Sequence, residues 1–399
     1  MPRYRPHMNW LAKLAWLTAI LCFCLVMFGA FVRLSDAGLS CPDWPTCYGH
    51  MTWPEQPHQV ARADAHFPNQ PYVASKAWRE QVHRMIAGTL GVLVLVLALL
   101  AAWNRPWARW SIIGAAIAAA LGTGMYMGGE HVFSVILGLV AIIVPCIVAG
   151  RLARTGAWRI AVLAFGLVIL QAVFGMWTVT LKLVPIVVTG HLLGGMAMFA
   201  LVAYVALRFT PIGAATDEHR LLRRFVILGI VILACQIFLG GWTSTNYAAT
   251  ICGSGAGSFP TCRGQWWPMA DYRQGFILWH DLGVNYEGGV LGAKARTAIQ
   301  MVHRMGAFVV LCYLGWLSHK VARAGLRGFG IGVALALVAQ ILLGISNVYF
   351  DLPLAVATAH NGMAALLLFA LVATLARTQR RLPPPTVRGP ANESAAQTG

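Results

Sequence analysis

Apolar residues in this chain come in long unbroken runs, and polar residues are confined to the gaps between them. A helix of about 20 apolar residues is what the hydrocarbon of a bilayer demands, because a spanning backbone must satisfy its own hydrogen bonds. Ten runs qualify, at residues 11–32, 82–102, 111–127, 132–150, 160–179, 186–207, 225–243, 299–317, 329–348 and 354–376. They predict ten membrane-crossing helices, hence an all-α polytopic membrane protein. Two gaps are long, residues 35–81 and 244–298, and each holds a cysteine pair: Cys41 and Cys47 in the first, Cys252 and Cys262 in the second. The tail, residues 377–399, is polar and Pro-rich and reads as disordered.

The pattern repeats within the chain. Residues 171–191, QAVFGMWTVTLKLVPIVVTGH, return as residues 340–360, QILLGISNVYFDLPLAVATAH, with Gln171 matching Gln340, Gly175 matching Gly344, and His191 matching His360. Upstream, Val-His-Arg-Met recurs around His83 and His303, and each cysteine loop closes on Pro-Thr-Cys after an equally placed glycine, Gly29 or Gly240. Three elements in one order indicate a duplicated unit. The expectation is two pseudo-symmetric four-helix bundles: an N-terminal half at 1–210, a linker at 211–224, and a C-terminal half at 225–376. Residues 104–159 have no counterpart in the second half and fit two extra helices inserted into the first. Glu130 and His131, in the turn between those two, lie outside the repeat and read as a loop pair.

Composition narrows the surroundings. The chain is 58% hydrophobic and 11% charged, outside the range of a soluble domain. Its net charge of +17 does not call for nucleic acid, because the charge is sided. With the N-terminus inside, Arg220, Arg223, Arg224, Arg377, Arg380 and Arg381 fall in inner segments, whereas of the acids only Asp217, Glu218 and Glu393 do. That is the positive-inside pattern, with both termini cytoplasmic. No cleavable signal and no transit peptide is evident, which favours a bacterial inner membrane. The two cysteine loops then face the oxidising side, where disulfides persist. Of the three pairings open to four cysteines, pairing within each loop is favoured, because the repeat makes each loop a unit; free thiols, or thiols that handle a ligand transiently, are the alternative. Cys22, Cys24, Cys146, Cys235 and Cys312 lie in apolar runs and read as small buried hydrophobes.

A histidine inside a span is costly, and four occur here at matched places: His83, His191, His303 and His360. Each lies near the start of a helix running inward, at similar depth. Paired neutral imidazoles without a cysteine or carboxylate cluster suit the two axial positions of a heme iron better than tetrahedral zinc. Thr189 and Thr358 are candidates to fix the second ring nitrogen. Arg84 and Arg304, next to two of the histidines, are candidate partners for heme propionates. Glu80 stands three residues before His83, on the same helical face, while the second copy has Gln300 at that place. An acid in one half and an amide in the other suggests similar ligands but proton chemistry in one half only.

Glu80-x-x-His83-Arg84, WTVTLKLVPIVVTGHLLGG, WHDLGVNYEGG, VHRMGA and the AxAHN of residues 357–361 resemble the heme A synthase family, over roughly residues 11–376. The resemblance implies an inner-membrane oxidoreductase that converts heme O to heme A, oxidising the ring methyl at carbon 8 to a formyl group for cytochrome oxidase. It implies that His83 and His191 bind the substrate heme O with Glu80 assisting, and that His303 and His360 hold heme b as cofactor. Cys41 with Cys47 matches the family's outer-loop pair, and Cys252 with Cys262 a second pair found in some members. Two hydroxylations would give a hydrated aldehyde that loses water. Partners implied are the enzyme that produces heme O, an electron donor the sequence does not identify, and the lipid bilayer; self-association into a homo-oligomer is open. The departure from the family is the insertion at 104–159. Two other classes compete: a non-catalytic diheme b-type electron-transfer cytochrome, and a repeat-built transporter. The transporter is disfavoured, since no charged or broken helix marks a midplane site.

Overall fold

The computed structural model describes residues 7–152, 156–210 and 217–378. These residues form twelve helices: α1 (His7–Leu34), α2 (Pro57–His66), α3 (Ala74–Ala102), α4 (Pro106–Met127), α5 (His131–Arg151), α6 (Gly156–Thr180), α7 (Pro185–Phe209), α8 (Asp217–Thr245), α9 (Tyr272–Gly275), α10 (Ala293–Arg323), α11 (Arg327–Tyr349) and α12 (Leu354–Arg377). Ten of them are long and apolar enough to cross a membrane, matching the ten apolar runs. The remaining two, α2 and α9, lie in the long polar gaps. Prolines set several starts, with Pro57, Pro106 and Pro185 in the first turns of α2, α4 and α7, where a missing N–H costs nothing. Asp271 caps α9 by accepting from the Gln274 N–H at 2.9 Å.

Three helices begin earlier than hydropathy suggests. The polar stretches around Arg79-Glu80-Gln81, 217–224 and 294–300 are helical, so α3, α8 and α10 project beyond their apolar runs. His83 and His303 are therefore well inside their helices rather than near the start. Of the expected linker, residues 217–224 open α8, and 211–216 lie outside the described residues. So does the tail from residue 379, while Arg377 closes α12.

Helices α1, α3, α6 and α7 pack as one ring, each against its two neighbours, and α8, α10, α11 and α12 as another. The rings meet along a seam of α1 against α12 and of α7 against α8 and α12. Glycines let the seam close: a Cβ on Gly241 would stand 3.0 Å from Thr189 Cγ2, and one on Gly362 3.0 Å from Met27. Arg33, at the end of α1, crosses the seam to donate to Tyr247 Oη and to the Ser244 carbonyl, both at 3.1 Å. The inserted α4 and α5 form a hairpin outside the first ring, with α5 against α6. Glu130 and His131 sit exposed at its turn.

The duplication is written into the backbone. Among the described residues, the non-glycine positions with positive φ fall into matched pairs: Asp36 (49°) with Tyr247 (52°), Tyr48 (52°) with Arg263 (53°), Lys182 (52°) with Asp351 (59°), and Leu183 (61°) with Leu352 (57°). Left-handed backbone is disfavoured for such residues. Its recurrence at equivalent places shows that the turns, and not only the helices, are copies. Each cysteine loop carries a disulfide within itself, Cys41–Cys47 and Cys252–Cys262. Among the other cysteines only Cys22 is buried; Cys24, Cys146, Cys235 and Cys312 are on the outer surface of the helices, which corrects the expectation of buried small hydrophobes.

Candidate functional site

A continuous cavity of about 1530 Å³ runs through both rings and is lined by all four histidines. His83 on α3 and His191 on α7 stand close enough to interact electrostatically, as do His303 on α10 and His360 on α12. Each pair thus comes from two helices of one ring. The imidazoles reach the cavity because each rests on a glycine of a neighbouring helix. A Cβ on Gly29 would lie 2.8 Å from His83 Cε1, on Gly344 3.0 Å from His360 Cε1, on Gly240 3.3 Å from His303 Cε1, and on Gly175 3.4 Å from His191 Cε1. The repeated glycines of the sequence are these four saddles.

Amides stand next to the saddles. Gln340 places Nε2 3.2 Å from His360 Nε2, and Gln236 places Nε2 3.1 Å from His303 Nδ1 while donating to the His303 carbonyl at 3.0 Å. Gln171 occupies the corresponding place in the first ring, and its Oε1 is buried without a partner. Gln236 was not singled out from the sequence, although it precedes Gly240 by the interval that separates Gln171 from Gly175. The fourth saddle, Gly29, has Leu25 there instead. Nδ1 of His83, His191 and His360 is buried and unpartnered. Neither threonine serves these nitrogens: Thr189 turns to Thr245 across the seam, Oγ1 to Oγ1 at 3.4 Å, and Thr358 Oγ1 has no partner. Paired imidazoles, glycine saddles and apolar walls fit a planar tetrapyrrole held by two histidines.

The two rings part company at Glu80. Its carboxylate is buried and accepts from the Cys41 N–H at 2.9 Å and the Ser40 hydroxyl at 3.0 Å, and it pairs with Arg84 at 2.5 Å. Arg84 also donates to the carbonyls of Asp43 (2.8 Å) and Thr46 (2.6 Å). The first disulfide loop is thereby tied to the helix that carries His83. Asp43 holds the loop from within, accepting from the N–H groups of Tyr48 (2.6 Å) and Gly49 (2.8 Å). In the second ring Arg304 clasps its own loop through Thr261 (2.9 Å) and Ser258 (2.8 Å), but Gln300 Oε1 is buried and unpartnered. The arginines expected to meet propionates thus share their donors with loop carbonyls, a role that sequence spacing does not reveal.

The second long loop reaches over the first ring. The Tyr286 N–H donates to the Lys182 carbonyl at 3.1 Å, and its ring is buried among Leu183, Val184 and Val187 at the α6–α7 turn. His280 lies between Tyr286 and the fully buried Trp242, with ring centroids 5.7 and 6.5 Å away. Burial pushes its pKa below the ordinary imidazole value, with the Asp281 charge opposing.

The profile of the cytochrome oxidase assembly protein family COX15-CtaA matches residues 12–132 and 127–372, which between them contain all four histidines, both disulfide loops and the insertion. The chain belongs to this family. It is 34% identical to the heme A synthase of Shewanella oneidensis, over 92% of this chain and 95% of that one. It is 24% identical to the heme A synthase of Rhizorhabdus wittichii, over 92% and 93% of the two chains. These relatives are matched across nearly their whole length, and the two family matches meet at the turn of the inserted hairpin.

Proposed function

We propose that this protein is a heme A synthase: the N-terminal ring binds heme O between His83 and His191 and oxidises its carbon-8 methyl to a formyl group, and the C-terminal ring holds heme b between His303 and His360. Family membership and the named relatives support the activity. The division between the rings rests on one observation, the buried carboxylate of Glu80 against the buried amide of Gln300 at the matched place. Heme b, when bound, supplies one-electron chemistry. The chain does the rest. The histidines fix the substrate's tilt and depth, the apolar walls exclude bulk water, and Glu80 is placed to take up and return protons at the outer end of the cavity. Arg84 and the Cys41 N–H hold that carboxylate in one orientation. The sided charge supports an inner-membrane location with cytoplasmic termini.

The test is chromatography of heme extracted after expression in cells that make heme O. His83→Ala and His191→Ala should end heme A production and keep heme b, while His303→Ala and His360→Ala should lose heme b. Unchanged heme O in the intact protein would make it a diheme cytochrome. Loss of heme b from the His83 variant would reverse the assignment of the rings.

A further inference from the structure

The inserted hairpin stands outside the duplicated plan, and the function above does not use it. Although α5 packs along α6, α4 touches α3 only sparsely, and the cleft left between α3 and α4 is part of the same cavity as the histidines. On α4 it is lined by Ala116, Ala119, Ala120 and Thr123, a spacing that puts all four on one helical face. Ile117, Leu121 and Met125 cover the opposite face and are exposed to the surroundings. On α3 the cleft is lined by Gly88, Gly91, Val92 and Leu95, and a Cβ on either glycine would meet nothing within 4 Å. The outer end is closed by Trp44 of the first disulfide loop, set edge-on against Tyr126 of α4 with centroids 5.9 Å apart.

We propose that this cleft is the slot for the isoprenoid tail of heme O, an assignment that rests on His83 and His191 binding that substrate. Heme O carries a long branched apolar chain at one ring edge where protoheme has a vinyl group. A ring held between α3 and α7 must send that chain somewhere, and the cleft is where the histidine cavity continues beside α3. Lipid is as apolar as the tail, so burial itself selects little in a membrane, and shape decides. Small side chains on α4 and the two glycines of α3 leave a channel beside Val92 and Leu95, and Ile117, Leu121 and Met125 of α4 point away from it. The inserted hairpin therefore adds a wall that the eight-helix plan lacks.

Filling the slot tests this. Ala119→Phe, Ala120→Phe and Gly91→Leu intrude from different walls, with Ala119→Ser as a control that leaves it open. Each full-length variant is expressed in cells that make heme O, purified, and its hemes extracted and chromatographed. Farnesylated heme, heme O plus heme A, should fall about tenfold or more per protein in the filled variants, the scale of overpacking a tight apolar site. Protoheme should stay at the wild-type level, which also reports that the fold is intact. Wild-type farnesylated heme in the filled variants would overturn the proposal. So would parallel loss of both hemes, because a tail slot acts on the farnesylated heme alone, and so would release of a bound phospholipid with hemes unchanged. His83→Ala separates the two readings: if it keeps farnesylated heme the ring assignment fails, and if it loses that heme while the filled variants keep it, the slot alone fails.

Discussion

Replacing each saddle glycine by alanine adds one methyl group in front of a histidine, and the four sites differ in how much room they leave. At Gly29 the new Cβ would stand 2.8 Å from the His83 ring and at Gly344 3.0 Å from the His360 ring, at or inside the closest approach carbon atoms tolerate. At Gly240 and Gly175 the distances are 3.3 and 3.4 Å, which a shift of a few tenths of an ångström relieves. Overpacking of the first kind costs about 1–3 kcal/mol. With the strained group as the proposed axial ligand, the cost falls on heme binding, where about 1.4 kcal/mol is tenfold. Gly29→Ala should therefore lower farnesylated heme by about tenfold or more and Gly344→Ala should do the same to protoheme, with Gly240→Ala and Gly175→Ala within about threefold of wild type. Alanine favours a helix over glycine by about 1 kcal/mol, which offsets part of the overpacking cost, while loss of bound heme lowers the melting temperature by mass action. The assay is heme per protein by type, alongside thermal unfolding in detergent. Full heme retention in Gly29→Ala, or equal losses at all four sites, would refute the saddle argument.

Glu80→Gln should cut heme A production by about 10²-fold with both hemes retained, and Gln300→Glu should be mild, read by chromatography of products. Replacing Cys41 and Cys47 together by Ser should expose the first loop to limited proteolysis and lower turnover, because the Cys41 N–H and Ser40 hydroxyl that hold Glu80 belong to that loop; the same change at Cys252 and Cys262 should spare turnover. The docking of His280 should weaken in acid. Its pKa is depressed by burial, so the docked loop favours the neutral ring, and the stability this contributes is present above the ordinary value of about 6.5 and lost as pH falls below it. Amide exchange in residues 276–289 should rise on acidification, and His280→Phe should flatten that rise.

How much of this was legible in the chain follows from what each signal measures. Hydropathy counts apolar residues, so it found every span but cut α3 and α10 short, since Lys76, Arg79, Lys294 and Arg296 are helical outside the apolar run. The repeat located the four histidines and their glycines, because a buried ring over a backbone permits little else at either position. It did not show that Gly29 serves His83, since the pairing joins different helices. Gln236 escaped because its helix was aligned only through Gly240. The proximity of Arg84 and Arg304 to a histidine suggests ligand partners; beyond the local Arg84–Glu80 pair, both also donate to loop carbonyls about 40 residues away, which no local spacing encodes. The exposed cysteines of the spans were misjudged for a related reason: in lipid an outward position is as apolar as an inward one, so composition does not separate the two.

The matched backbone makes the differences between the rings informative. Helices, turns, disulfides and saddles are shared, down to paired left-handed residues, so a difference in chemistry between the rings must come from the few places where they diverge. Three bear on the histidines. Gln236 touches His303, where its counterpart beside His83 is Leu25; the carboxylate at Glu80 is an amide at Gln300; and the first ring alone has a third pair of helices along α3 and α6. In the second ring both imidazoles are met by an amide, which fixes their orientation and suits a group that stays in place. In the first, His83 lacks that restraint, and an ionisable side chain and an open cleft take its place, which suits a group that enters, reacts and leaves. Leu25→Gln tests the contrast. It should carry the second ring's restraint into the first and raise retention of farnesylated heme while slowing its conversion. Faster turnover with looser binding would show that the amide does not act as an anchor.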